Sequence, residues 1–395
     1  MKEKDFVLYG DINIAENFGE QNMKICFMQM HIPNPRTNKR IAVAKQVGDV
    51  SVICVRRATQ DIWEPVHTDV PHYTFPLDIP TSKEIVKRYF VGRRFSSLAY
   101  KKLLEIKPDV LYIGGLDMLC IACKYKRNHN CRIIYEVADL RECFIEIPRS
   151  LKSKLMRSIL SCIEKTSFVE VDYLALTSMK FYDIYYRNLI DKSRVIFVPN
   201  TPDVSVFENY QHKRGGDFTV GFIGGIRYLK QMKMLVNATE IVGCKVLFAG
   251  AGGSDNDYKS ITEYCSKKPH VTFTGKYDYI AQIADLYSLV DCVYAVYDAN
   301  NPNVKIALPN KLYESVLCGL PIIVAKNTYL SEVVETLGIG CSVASESQSE
   351  LVECIRSIMN PEKYTQIAEC CRMSTEKLCN NEWEAKLIVT LEQCQ

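Results

Sequence analysis

Short runs of apolar and β-branched residues recur along the chain with helix-length segments between them, at residues 24–30, 50–55, 110–113, 132–137, 173–177 and 194–198. Runs this apolar belong to strands buried on both faces, and crossover helices join such strands into a parallel sheet. A polar stretch follows over 199–217, where Pro199, Pro202, Gly215 and Gly216 sit among charges and mark a linker. The pattern then restarts at 218–223, 245–249, 271–274, 291–297, 320–325 and 341–344. Amphipathic helices are expected at 233–242 and 311–318, and a helical run from 361 to the end. The expected fold is therefore α/β, with two Rossmann-like doubly wound domains facing a central cleft. Residues 1–205 are expected to form the first domain and 206–375 the second. Residues 376–395 form a terminal helix packing back toward the first.

Composition removes several classes of function. Lys and Arg exceed Asp and Glu by 3 in 395 residues, too small a balance to argue for a nucleic-acid partner. The 17 cysteines are scattered through apolar strands and helices, which favours buried reduced thiols over a disulfide scaffold. Cys120 and Cys123 form a C-x-x-C pair without a second pair or histidines at finger spacing, so no metal is expected. Charges interrupt the first 23 residues before any secretory apolar run, and no segment reaches the ~20 apolar residues that cross a bilayer. A cytoplasmic chain is expected, with peripheral membrane attachment as one option.

Ligands of doubly wound sheets bind beyond the carboxyl ends of the strands, which focuses attention on two segments. The strand at 218–223 runs into Gly224, Gly225, Ile226 and Arg227, with Lys233 soon after at a helix start. Glycines admit a ligand close to the backbone, and a helix N-terminus offers free N–H groups to an anion. Arg227 and Lys233 add charges able to neutralise a diphosphate. The second segment is Leu308-Pro309-Asn310-Lys311-Leu312-Tyr313-Glu314, a helix opening after proline. There Glu314 is favoured by the helix dipole and positioned to accept hydrogen bonds from ribose hydroxyls. Each segment has a plainer explanation as well: a packed turn with solvated cations, and a helix carboxylate serving stability.

Taken as a pair, Gly224-Gly225-Ile226-Arg227 and P-N-K-L-Y-E-S-V-L-C-G-L-P-I-I-V-A resemble the C-terminal half of GT-B glycosyltransferases, specifically the retaining family 4 enzymes of bacterial surface-polysaccharide pathways. The resemblance implies transfer of a sugar from a nucleotide-diphosphate donor, most commonly a UDP-sugar, to a glycan or lipid-linked acceptor, without a cofactor. It assigns Arg227 and Lys233 to the donor diphosphate, as catalytic charges. Glu314 matches the second glutamate of the E-x7-E signature, with Gly224, Gly225, Asn310, Lys311 and Leu312 completing the donor site. Ile306 stands where the first glutamate would be, leaving Asp298, Asn300 and Asn303 as candidates for holding the sugar. In the first domain, Pro33, Pro35 and Arg36 resemble the acceptor-side loop. Asp139, after the strand at 132–137, stands near the expected reaction centre with Glu136, where family members often carry a histidine. Front-face attack is the family precedent, with the leaving diphosphate taking the acceptor proton.

Three further features bear on function. Asp255-Asn256-Asp257 spells a D-x-D but sits in a glycine-rich loop, where Asp and Asn are ordinary turn formers. Basic residues alternate with Tyr89, Phe90 and Phe95 over 83–102, and with Leu151, Leu155, Met156 and Ile159 over 149–159. Two basic amphipathic helices are expected there, suited to an anionic membrane surface or simply to solvent. Rival functions are a nucleotide-sugar 2-epimerase of the same layout and a catalytically degenerate nucleotide-binding scaffold.

Overall fold

A computed structural model describes residues 22–57, 64–78, 85–140, 151–213, 215–251 and 255–395. The charges of the first 21 residues, Arg149 and the side chains of Asp255 and Asn256 lie outside the described residues.

The first sheet comprises β1 (Lys24–Gln29), β2 (Asp49–Arg56), β3 (His72–Pro76), β4 (Val110–Gly114), β5 (Arg132–Val137), β6 (Tyr173–Leu176) and β7 (Val195–Phe197). Its order is β3-β2-β1-β4-β5-β6-β7, with every pairing parallel. The helices are α1 (Pro35–Ala44), α2 (Ile85–Ile106), α3 (Leu116–Lys126) and α4 (Leu151–Ser167). Alternate residues of β1 serve opposite layers. Cys26 and Met28 join Phe95 of α2 and Leu119 of α3, whereas Ile25 and Phe27 join Ile41 of α1. Asn34 caps α1 by accepting from the Thr37 amide at 3.0 Å, and Pro35 occupies the first helical position.

The second sheet contains β8 (Thr219–Ile223), β9 (Lys245–Ala249), β10 (Val271–Gly275), β11 (Cys292–Ala295), β12 (Ile322–Ala325) and β13 (Gly340–Val343), in the order β10-β9-β8-β11-β12-β13. Its helices are α5 (Leu229–Val242), α6 (Asp255–Cys265), α7 (Tyr279–Ser288), α8 (Asn310–Leu317), α9 (Tyr329–Leu337), α10 (Gln348–Met359) and α11 (Pro361–Cys379). The chain then crosses back. In α12 (Glu382–Glu392), Trp383, Leu387 and Leu391 are buried in the same apolar cluster as Ile25 and Phe27 of the first domain. Each such leucine stabilises the docking by about 1.5–3 kcal/mol.

Two expectations need correcting. β3 lies outside the apolar runs, because His72, Thr74 and Pro76 dilute the pattern of a half-buried edge strand. Cys341 and Cys354 form a disulfide where reduced thiols were expected, since β13 and α10 bring them together. Most other described thiols are free and buried; Cys123 donates to the Ser167 carbonyl at 3.6 Å, which ties α3 to the end of α4.

Candidate active site

The strand order reverses between β8 and β11, so a crevice opens where Gly224 follows β8 and α8 follows β11. Gly224 has φ +136°, and a Cβ added there would lie 2.8 Å from Lys311 Nζ. Gly250, at φ +125°, lies so close that its Cβ would meet the Gly224 carbonyl at 2.2 Å. Only glycines fit this packing. The turn is pinned by Gly224 N–H donating to Ala249 O at 2.8 Å and Ile226 N–H to Ala251 O at 3.0 Å.

Two helices begin beside this turn, and neither is capped by a side chain. Tyr228 enters α5 in the left-handed region (φ 61°), and Pro309 precedes α8. The free N–H groups and positive dipole ends of both helices therefore favour an anion at this point. Lys311, in the first turn of α8, is buried with its Nζ 4.3 Å from the Phe222 ring centroid. Arg227 is exposed on the turn, its Nε 3.8 Å from where a Gly225 Cβ would stand. Lys311 thus reaches Gly224 and Arg227 lies beside the adjacent Gly225.

Lys233 does not join them. It sits one turn further along α5, and its Nζ lies 4.8 Å from the ring centroid of Tyr264 in α6, whose hydroxyl donates to Asn237. Helical register therefore turns Lys233 toward α6 and gives its expected place to Lys311. Lys230, nearer the helix start, is exposed and pairs with Glu346 at 2.6 Å.

Glu314 also differs from expectation. It is 3% exposed, and its carboxylate accepts from the hydroxyls of Tyr279 at 2.8 Å and Tyr287 at 2.6 Å. Lying one turn below Lys311, it faces α7 rather than the open loop. Burial raises its pKa above the ordinary carboxylate value, opposed by the two tyrosine hydrogen bonds and by Lys311. Burial, and then Glu314 itself, hold both phenols well above their usual range, so they remain donors.

Across the crevice, Asp139 is exposed just beyond β5 and accepts from Asn303 Nδ2 at 2.8 Å, while Asn303 Oδ1 accepts from the Leu140 amide at 2.8 Å. Asn303, one of the candidate sugar-holding residues, thus ties the loop after β11 to the first domain. Three residues on, Ile306 is buried in the first domain's apolar cluster, and Ser178 donates to its carbonyl at 2.5 Å. A glutamate at 306 would place a carboxylate in that cluster, which accounts for the departure from the signature. Burial raises the Tyr228 hydroxyl's pKa; Tyr297, Asp298 and Asp139 act the same way and Arg227 opposes them. Glu136 does not compete with Asp139 for the open role, being buried against Tyr112 (2.5 Å), Arg36 (3.1 Å) and Arg40 (3.9 Å).

Two parallel doubly wound domains, with an uncapped cationic turn at the second one's switch point, define a GT-B architecture. Residues 217–360 match the family described as Glycosyl transferases group 1, so the second half carries a glycosyltransferase group 1 domain and the enzyme is a glycosyltransferase. The fold is similar to sucrose-phosphate synthase from Thermosynechococcus elongatus, with a TM-score of 0.73 and 15% identity over 94% of this chain and 98% of that one. Anabaena HepE in complex with UDP-glucose gives a TM-score of 0.68 at 15% identity, covering 94% of this chain and all of that one (100%). WaaG, a glycosyltransferase involved in lipopolysaccharide biosynthesis, gives 0.66 at 14% identity over 93% and 99%. No curated protein sequence matches significantly.

Proposed function

We propose that the enzyme transfers a sugar from a UDP-sugar, with retention, to a glycan or lipid-linked acceptor in polysaccharide assembly. The observation that carries this reading is the convergence of Arg227, Lys311 and two uncapped helix N-termini on the Gly224 turn. That arrangement suits a diphosphate: fixed N–H groups and cations stabilise charge as it develops on the leaving group, without a metal. HepE, of similar fold, was solved in complex with UDP-glucose, which supports uracil as the base. WaaG's part in lipopolysaccharide biosynthesis supports a surface glycan as the acceptor. Asp139, exposed just beyond β5 and held by Asn303, is the acceptor-side carboxylate of this reading. The carbonyl-rich loop of Asp298, Asn300 and Asn303 borders the donor sugar.

Glu314 takes the ribose by exchange. Tyr279 is half-buried whereas Tyr287 is fully buried, so the Tyr279 hydroxyl is the more accessible of the two donors. A ribose hydroxyl replaces one O–H donor by another on the same carboxylate oxygen, which leaves Glu314 satisfied. Tyr279→Phe removes the competitor, and UDP is expected to bind the variant as tightly as wild type or up to about threefold more tightly. Calorimetry showing a tenfold loss would exclude the exchange.

A thermal-shift screen of nucleoside diphosphates and their sugars tests the donor assignment. UDP is expected to raise the melting temperature of the wild type, and Arg227→Ala to remove most of the shift. Equal shifts in both proteins would put the nucleotide elsewhere. Anomeric configuration of the product, read by NMR, decides retention.

The first domain supplies the membrane-facing part of the proposal. No described helix is long and apolar enough to cross a membrane. On α4, Leu151, Leu155, Ile159 and Ile163 recur every fourth residue and all point outward, Leu155 at 62% exposure, with Lys154 exposed beside them. On α2, Tyr89 and Phe90 are exposed next to Arg93 and Arg94. An apolar stripe with basic flanks suits insertion at an anionic lipid surface. Flotation with phosphatidylglycerol vesicles is expected to carry the wild type and to leave the double variant Leu155→Glu, Ile159→Glu behind. Wild-type protein that stays at the bottom at low salt would remove the membrane role.

A further inference from the structure

Lys311 is 8% exposed, yet its ammonium forms no ion pair with a carboxylate among the described residues. Glu314, one turn along α8, is committed to the hydroxyls of Tyr279 and Tyr287. Aromatic rings take the place of a counter-ion. Lys311 Nζ lies 4.3 Å from the Phe222 ring centroid and 5.7 Å from that of Tyr297. Both distances fall within the reach of a cation–π attraction, about 6 Å.

Tyr297, just past β11, is half-buried and meets two further rings: Phe222, edge-on at 6.4 Å and 84°, and Tyr228, tilted at 5.4 Å. Tyr228 reaches it from the start of α5 with its backbone at φ 61°, ψ 59°. A bulky aromatic residue gains nothing locally from the left-handed region, and such strain persists where the surroundings impose it, commonly at functional sites. The hydroxyl does not account for it, since it makes no hydrogen bond among the described residues. What the strained backbone delivers is the ring contact with Tyr297.

We propose that Tyr297 and Tyr228 are positioning residues for sugar transfer: the Tyr297 ring, together with Phe222, holds the Lys311 ammonium at Gly224, and Tyr228 holds Tyr297. A ring suits this duty better than a carboxylate. It attracts the ammonium without neutralising it, so the full charge stays available to a leaving diphosphate, whereas an Asp or Glu partner would compete with that anion. The inference rests on the assignment of the donor diphosphate to the Gly224 turn.

Graded fluorination tests the ring electrostatically, because fluorine withdraws density from the ring face while barely changing its size. Tyr297→Phe and its monofluoro, difluoro and pentafluoro analogues are made in the full-length chain, with UDP as the calorimetric probe. The dissociation constant is expected to rise stepwise, by about threefold to tenfold across the series. In a Lys311→Ala background, where UDP binding is already weakened at least about tenfold, the same series is expected to be flat. Tyr228→Asn, which tolerates the left-handed backbone but removes the ring, is expected to bind UDP about threefold more weakly than Tyr228→Phe, which keeps it. A flat series on the Lys311 protein, a slope that persists without Lys311, or equal binding by the two Tyr228 variants would overturn the proposal while leaving the donor site in place. UDP binding that Lys311→Ala does not weaken would remove the donor-site reading and the proposal together.

Discussion

Replacing Lys311 with alanine is expected to lower turnover of the nucleotide-sugar by roughly 10² to 10³-fold, while Lys233→Ala changes it by less than about threefold. The contrast follows from where the two ammonium groups lie. Lys311 Nζ stands at Gly224 with its approach fixed by the Phe222 ring, in a buried position where a charge acts through a low dielectric. Lys233 lies over Tyr264, toward α6. Charge developing on the leaving diphosphate is thus met by Lys311 without reorganisation, and the loss should appear in kcat more than in KM. Lys311→Arg is not expected to rescue. A guanidinium is planar and wider than an ammonium, and the Gly224 turn leaves no room for it. Comparable damage from Lys233→Ala and Lys311→Ala would contradict the register argument and restore Lys233 to the diphosphate.

Why Lys311 and not Lys233 reaches the glycine turn bears on what a sequence reveals. Both parallel sheets were legible from the apolar runs, because strands covered on both faces carry an uninterrupted signal. β3 escaped because it is an edge strand whose residues are half exposed. The glycine turn and the opening of α8 were equally legible as local chemistry. Direction was not. Whether the lysine at 233 or at 311 reaches Gly224 depends on how α5 and α8 rotate about their axes, and that is decided by packing between elements some eighty residues apart. Ile306 makes the same point from the other side. The sequence displays the absence of a glutamate, but the insertion of that position into the first domain's core appears only when the domains are brought together. Tyr228 in the left-handed region had no sequence signal at all, since nothing in its side chain favours that backbone.

Glu314 should govern stability as well as binding, and its two roles separate by substitution. Glu314→Ala is expected to destabilise the fold by roughly 3–5 kcal/mol, because it orphans the hydroxyls of Tyr279 and Tyr287 at about 1–3 kcal/mol each and leaves a void beneath α8. Glu314→Gln keeps the volume and an acceptor, and it removes the charge. Its effect depends on pH in a direction fixed by the burial of the carboxyl. The folded-state pKa is raised above the ordinary value of 4.5, so the native protein holds this proton more tightly than the unfolded chain does. The stability contributed by that proton is complete below the unfolded pKa and is lost as pH rises through the folded one. Wild type should therefore lose ground to Glu314→Gln on going from pH 4 toward pH 8, measured as the difference in urea midpoint between the two proteins. A difference that stays constant over that interval would mean that the tyrosines and Lys311 balance the burial of the carboxylate, and one that moves in favour of wild type would mean that they outweigh it.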